Sequence, residues 1–422
     1  MGLEGPAISA VLARLLNPEI NLAAFGGLVF PLALVVEAPI IMLLAASTAL
    51  SRDWESYRNL RSFTHKLSAA LTLLHALVVF TPLYDLIAVY VIRAPADIIA
   101  PGRIGLIIML PWTWSIAYRR FNQGVLIRFG HSLSVGVGTG IRLGADALIL
   151  LTGILVGSIP GVVVASATVI AGVVSEAAYV GLRVRPVLRD QVRPAVPLKT
   201  PLTFRAFLDF YVPLSLTSVV LYAASPILSA GVSRMPAALE SLALWPVVTG
   251  VLFLVRSLGV SLNEVVVALL DHPQSYVRLR RFTIGLSAAT TVVLLLCLIP
   301  SLGMLYFQRI TGLSGPLATV ARYSLWLALP MPAMSVLQSW YQGMVLHSRH
   351  TRSITESVVV YLLGSVAVLA AGVLWGGAKG IYVGVAALSA GEVVRTVWLR
   401  WRGGPARREL RARDQPSERF VA

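Results

Sequence analysis

A long internal repeat constrains this chain more than any local motif does. The stretch that opens at Leu110, LPWTWSIAYRRFNQGVLIRFGHSLSV, returns from Leu329 as LPMPAMSVLQSWYQGMVLHSRHTRSI. In register, Leu110-Pro111 falls on Leu329-Pro330, Gln123-Gly124 on Gln342-Gly343, His131 on His350 and Gly157 on Gly376. The same offset aligns SYRNLRSFT from Ser56 with SYVRLRRFT from Ser275. After a slip of one residue, Pro6, Ser9 and Arg14 fall on Pro226, Ser229 and Arg234. Similarity at one fixed offset over such a distance makes the chain two copies of one unit.

Each copy has to live in a membrane. The chain is 57% hydrophobic and 13% charged, with a mean hydropathy of +0.79. That composition excludes an ordinary soluble domain, whose helices need polar faces. A membrane span needs about 20 apolar residues. Such runs fall near 21–50, 67–91, 104–126, 132–156 and 161–182, then near 207–229, 239–269, 283–307, 317–346, 354–375 and 380–399. Residues 2–16 match only the end of the 207–229 run, so the first span reads as truncated. A start upstream is the favoured account, because half a span leaves backbone groups unpaired in lipid.

The net charge of +16 raises nucleic acid as a partner, and its distribution argues against it. The cations collect in every second loop, at 51–66, 119–131, 183–205, 270–281 and 346–352, and in the tail. The opposite side keeps Arg14, Arg93, Arg103, Arg234, Arg309 and Lys379. This is the positive-inside pattern. It places the basic loops, linker and carboxyl tail at the cytoplasmic face of the cell membrane, against anionic headgroups. Six spans per copy is an even number, so both copies enter from one side. They are then related by a pseudo-two-fold axis along the membrane normal.

The expected fold is therefore an all-α polytopic membrane protein of two parallel six-helix repeats, about twelve spans with the first incomplete. Its boundaries fall at 1–182 for the first bundle, 183–205 for a basic linker, 206–400 for the second bundle and 401–422 for a basic tail. That plan resembles the multidrug/oligosaccharidyl-lipid/polysaccharide (MOP) exporter superfamily and is MATE-like. Within the superfamily, three stretches look most similar to the progressive ankylosis branch: Ala224–Arg234 (ASPILSAGVSR), Asn263–Asp271 (NEVVVALLD) and Gln123–His131 (QGVLIRFGH). The resemblance implies a secondary transporter or flippase working by alternating access, and an antiporter-type exporter of small anions such as pyrophosphate or nucleotide. It implies H⁺ or Na⁺ as candidate coupling ions. The multidrug branch carries deep acids in its first, seventh or tenth spans. Here the tenth has none and Asp209 sits at the end of the seventh, which weakens the multidrug reading.

Charges inside spans are costly and mark candidate sites. Glu37 and Arg256 occupy equivalent mid-depth positions on the second and eighth spans, one acid and one base. In the fold that the chain resembles, these helices border the cavity between the halves. Asn263 lies two turns beyond Arg256 on the same face, with Glu264 beside it. Arg142 and Asp146 are spaced i,i+4 and can pair on one helix; their repeat equivalents are Tyr361 and Ser365. Glu176 and Arg322 read as lone charges near span ends, with Arg322 snorkelling. Gly136, Gly140 and Gly144 form a small-residue stripe that would admit a neighbouring helix.

His347 and His350 have a spacing compatible with metal ligation, but no acid or cysteine completes a set, so no metal or other cofactor is expected. Cys297 cannot form an internal disulfide. No phosphate-cradling P-loop occurs. An enzyme such as a lipid-modifying transferase would need polar residues clustered at one membrane face, and none is apparent in the short basic loops. The expected partner is a small anionic or zwitterionic solute or an amphiphile. The alternatives are a lipid-linked saccharide flippase and cation-coupled multidrug efflux.

Overall fold

The structure is a computed structural model that describes residues 3–197, 203–270, 275–347 and 352–414. Every regular element among them is helical. Among the described residues nine helices are long and apolar enough to cross a membrane, or ten if Ala96–Ile108 and Leu110–Arg128 form one span bent by 42°. Their outward faces are apolar: Leu73, Leu77, Leu148, Leu155, Leu363 and Leu374 are all exposed. Such a surface suits lipid and would be untenable in water. The chain is an all-α polytopic membrane protein.

Two expected spans fall outside that count for local reasons. Of the first expected span, residues 3–16 are described, and they hold the nine-residue helix Glu4–Leu12, which is too short to cross. The run at 317–346 is broken into Gly315–Ser324, a 3₁₀ turn Leu325–Ala328 and the helix Pro330–His347. Pro330 sits where Pro111 sits in the first copy, at the start of Leu110–Arg128. A proline has no N–H to give the preceding turn and clashes with it, so each begins a new helix at an angle.

The basic loops are shorter than the sequence suggested, because helices run on past the apolar runs. Asp53 caps the helix Trp54–Phe80, its carboxylate accepting from the Ser56 N–H at 2.8 Å, so Arg58, Arg61 and Lys66 are helical. The expected loop at 119–131 is helical through Arg128. The helix Gly161–Val187 continues as a π turn Leu188–Val192 into the expected linker. Arginine and lysine are good helix formers, so a helix leaving the bilayer has no reason to stop at its surface.

Packing divides the chain into two compact units, Ala7–Ser233 and Arg234–Ala422, the latter with Gly2–Pro6. The division follows the helix Phe204–Ser233. That helix, which the 206–400 boundary assigned to the second bundle, packs within the first unit. Phe207 and Tyr211 meet Phe63 with ring centroids 4.3 and 5.4 Å apart, and the Tyr211 hydroxyl donates to the Pro39 carbonyl.

Each unit, taken alone, shows the same series of local features at the offset read from the sequence. Left-handed backbone occurs at Arg93 and at Gly312, and at Gly157 and Gly376. With the one-residue slip it also occurs at Asn17 and Ala237. A π turn covers Leu86–Ile92 in one unit and Leu305–Ile310 in the other. Close helix approaches recur as well. A Cβ on Gly124 would lie 2.5 Å from Cβ of Ser47, and one on Gly343 would lie 2.4 Å from Cγ1 of Val266, the equivalent pair.

One side chain shows how helix ends are joined. The Asn21 amide donates to the carbonyls of Leu16 and Asn17 at 2.8 and 3.0 Å, while its oxygen accepts from the Val162 N–H at 2.9 Å. Three groups left over at helix termini are satisfied by one buried residue.

Candidate functional site

Both units bury a polar cluster among their long helices. In the first unit it forms where Leu110–Arg128, Ser132–Val156 and Gly161–Val187 meet. Arg119 and Glu176 are 1% and 0% exposed and are joined by a hydrogen-bonded ion pair. Gln123 Nε2 donates to the other Glu176 oxygen at 2.8 Å. Arg142 Nη1 lies 3.8 Å from Glu176 Oε2, and Arg142 Nε lies 3.9 Å from Asp146 Oδ2. Two guanidiniums and two carboxylates are thus joined, with the Arg120 guanidinium also within electrostatic reach of Arg119. Pairing lowers the cost of carrying these charges inside the bundle, since an unpaired one there costs several kcal/mol (order of magnitude).

The predicted pair Arg142 and Asp146 is thus brought together, but as part of a larger group. Glu176 is not a lone end charge, nor is Arg119 in a loop. The helix places Gly172 under Asp146: a Cβ there would sit 1.9 Å from Oδ1. The contact needs a glycine for space, and Gly391 holds the equivalent place against Ser365 Oγ at 2.2 Å. The predicted glycine stripe faces elsewhere. A Cβ on Gly136, Gly140 or Gly144 meets no described atom within 4 Å, whereas one on Gly138 would lie 3.3 Å from Glu176 Cγ. The packing face is set by Gly138, two residues round the helix.

The second unit repeats the cluster with different chemistry. Arg256 on Ala238–Leu269 is ion-paired with Glu392 on Gly380–Arg402. Gln338 Nε2 donates to the Glu392 carboxylate, to its carbonyl at 3.1 Å and to Thr396 Oγ1 at 3.0 Å. Arg395 lies within electrostatic reach of Glu392, Arg256 and Tyr361. Its Nε is buried with no hydrogen-bond partner among the described residues. At the common offset Arg119 corresponds to Gln338, Arg142 to Tyr361, Asp146 to Ser365 and Glu176 to Arg395. Here two guanidiniums face one carboxylate. Arg256 is also the more accessible partner, its side chain 24% exposed against 4% for Glu392.

The remaining predicted residues lie in both units. Glu37 ends the helix Phe30–Glu37 and is buried; it and Arg120 both lie within electrostatic reach of Tyr222. Arg256 has its ion pair inside its own unit, and that acid, Glu392, was absent from the sequence expectation. Asn263 has a buried Oδ1 with no hydrogen-bond partner among the described residues. Glu264 lies on the helix, but its side chain is outside what the structure describes. So are His347's side chain and all of His350. Arg322 does not simply reach for water: Nη1 donates to the Leu298 carbonyl at 3.1 Å and the guanidinium stacks on Tyr323. Among the described residues no group of three or more His, Cys, Asp or Glu could hold a metal.

No protein-family model matches the chain, and no curated protein matches it in sequence. Solved structures do match in shape. An inward-facing multidrug resistance MATE family transporter of the MOP superfamily superposes with a TM-score of 0.73 at 16% identity, covering 97% of this chain and 96% of that one. The lipid II flippase MurJ, in an inward closed conformation, gives 0.66 at 16% identity over 97% and 87%. A MOP superfamily transporter from Pyrococcus furiosus, described as having a binding pocket of reversed polarity, gives 0.52 at 16% identity over 96% and 95%. At such identities the likeness is one of fold, and the fold is that of these MATE-like proteins.

Proposed function

We propose that the chain is a secondary transporter that exports a small anionic or zwitterionic solute by alternating access of its two helix bundles. The observation that carries the reading is the charge of the second cluster, where, among the described side chains, Arg256 and Arg395 share the carboxylate of Glu392. A buried surplus of guanidinium is stabilised by an arriving anion, and Arg256 is the accessible one. The first unit's cluster pairs two carboxylates with its guanidiniums, so Arg142 and Asp146 are the secondary candidates for the solute site. The sequence motifs resembling the progressive ankylosis branch fit the same substrate class. On this reading the repeats make twelve spans related by a two-fold along the membrane normal. The basic helix ends, linker and tail then face the cytoplasm. Glu37 is the candidate group for H⁺ or Na⁺ coupling, and Asn263 and Glu264, which follow Arg256 along the same helix, are further candidates for contacting the solute.

A second reading, a lipid-linked saccharide flippase, is favoured by the likeness in fold to the lipid II flippase. Uptake of labelled pyrophosphate, nucleotide and citrate into inside-out vesicles separates the two, comparing the parent with Arg256→Ala and Glu37→Gln. Anion accumulation that drops about tenfold or more in Arg256→Ala, at equal protein level, supports the proposal. Ethidium extrusion by cells without any anion movement would return the chain to multidrug efflux, and scrambling of a labelled lipid-linked sugar would make it a flippase.

A further inference from the structure

The end of the last long helix carries a pocket that the transport reading does not use. It lies where Gly380–Arg402 turns through Gly403 into the short helix Gly404–Asp414, has a volume of about 600 Å³, and is lined chiefly by Val397, Arg400, Trp401, Arg402, Arg407 and Arg408. Arg402 is held by Glu356, at 2.9 and 3.1 Å. Arg400, Arg407 and Arg408 make no ion pair with a described residue, and neither acid of the short helix, Glu409 or Asp414, is among the lining residues.

The short helix is pinned in place, so its backbone keeps Arg407 and Arg408 at the end of the spanning helix that carries Arg400. Leu410 is buried in the second unit's core beside Trp340, Met344 and Leu399. Arg413 Nη2 donates to the Leu270 carbonyl at 2.7 Å, and Asp414 Oδ2 accepts from the Tyr276 N–H at 2.8 Å. An apolar lane leads into the pocket from the bilayer side. Val394, Val397 and Trp401, spaced i, i+3 and i+7, are all exposed on one face of the spanning helix. A tryptophan at that depth belongs to the membrane–water interface.

We propose that this pocket is a binding site for an anionic phospholipid, with its phosphate among Arg400, Arg407 and Arg408 and an acyl chain along Val394, Val397 and Trp401. The argument is complementarity of both parts. Three guanidiniums without a carboxylate partner among the described residues suit an anion. The lane that opens onto them demands a hydrocarbon chain attached to that anion. A free phosphate satisfies the first demand only. The site is independent of what the protein carries, so it stands or falls apart from the transport reading.

The test uses the purified full chain in phosphatidylcholine vesicles with increasing phosphatidylglycerol, either lipid bearing brominated acyl chains as quenchers. With nine tryptophans in the chain, the signal is the difference in quenching between the parent and Trp401→Phe. Brominated phosphatidylglycerol should give saturable quenching of Trp401, and brominated phosphatidylcholine should not. Each guanidinium removed should weaken the apparent affinity about five-fold, so R400Q/R407Q/R408Q loses on the order of a hundredfold. R183Q/R185Q, at exposed arginines of another helix end, should leave it unchanged. If the triple variant is not monodisperse, Arg408→Gln alone carries the comparison. Equal quenching by both lipids, retention of affinity in the arginine variants, or full displacement by millimolar inorganic phosphate would overturn the proposal.

Discussion

Replacing Glu176 with glutamine removes one charge from the first unit's cluster while keeping its shape. The consequence follows from the geometry. Arg119, 1% exposed, loses its ion-pair partner with no water to replace it. Arg142 loses an attraction acting over 3.8 Å and keeps Asp146 at 3.9 Å. At that separation a unit pair is worth about 4 kcal/mol at an effective dielectric of 20. Breaking a buried pair by removing one member costs about 3–5 kcal/mol in mutational work. The two estimates agree. For a unit of this size that corresponds to a fall in Tm on the order of 10 °C. It can be read by heating detergent-solubilised protein and following the monodisperse peak in size-exclusion chromatography. The double variant R119Q/E176Q removes one charge of each sign and should recover much of the loss, because replacing both members of a buried pair is often close to neutral. A shift below about 2 °C in E176Q, with R119Q simply adding to it, would refute the reasoning.

Other consequences can be checked in the same way. Gly172→Ala places a methyl 1.9 Å from Asp146 Oδ1 and should cost about 1–3 kcal/mol of unfolding free energy. Gly140→Ala, on the open face, should stabilise by up to about 1 kcal/mol in the same denaturation assay through helix propensity alone. Asp53→Ala removes the cap on Trp54–Phe80 and should cost about 1 kcal/mol, seen as faster hydrogen exchange at the Ser56 amide. Glu392→Gln frees two guanidiniums from their shared carboxylate. If these bind the solute, the apparent KM for the anion should fall about tenfold in vesicle uptake, even as Tm drops.

The sequence made much of this architecture readable, and the limits are instructive. The repeat was legible because it preserves prolines and glycines whose backbone demands cannot be met otherwise, as at Pro111 and Pro330 or Gly157 and Gly376. The Arg142–Asp146 proximity was legible because it is local, four residues along one helix. Arg119–Glu176 and Arg256–Glu392 were not, since 57 and 136 residues separate the partners. An arginine near the end of an apolar run looks like a loop cation until its carboxylate is found. One signal could have found it: Arg119, Arg142, Asp146 and Glu176 all correspond to polar residues in the second copy. The glycine stripe misled because spacing gives a face without saying which neighbour that face meets.

The left-handed positions carry a practical consequence. Arg93 holds a backbone conformation that a side chain resists, and in the second copy the same place is taken by Gly312. Asn17 and Ala237 stand in the same relation, a tolerant residue opposite an intolerant one. The chain thus contains its own catalogue of trials. Wherever one copy has relaxed a strained site and the other has not, the remedy is already written a half-length away. Arg93→Gly and Ala237→Asn are the first stabilising transplants that such a reading selects.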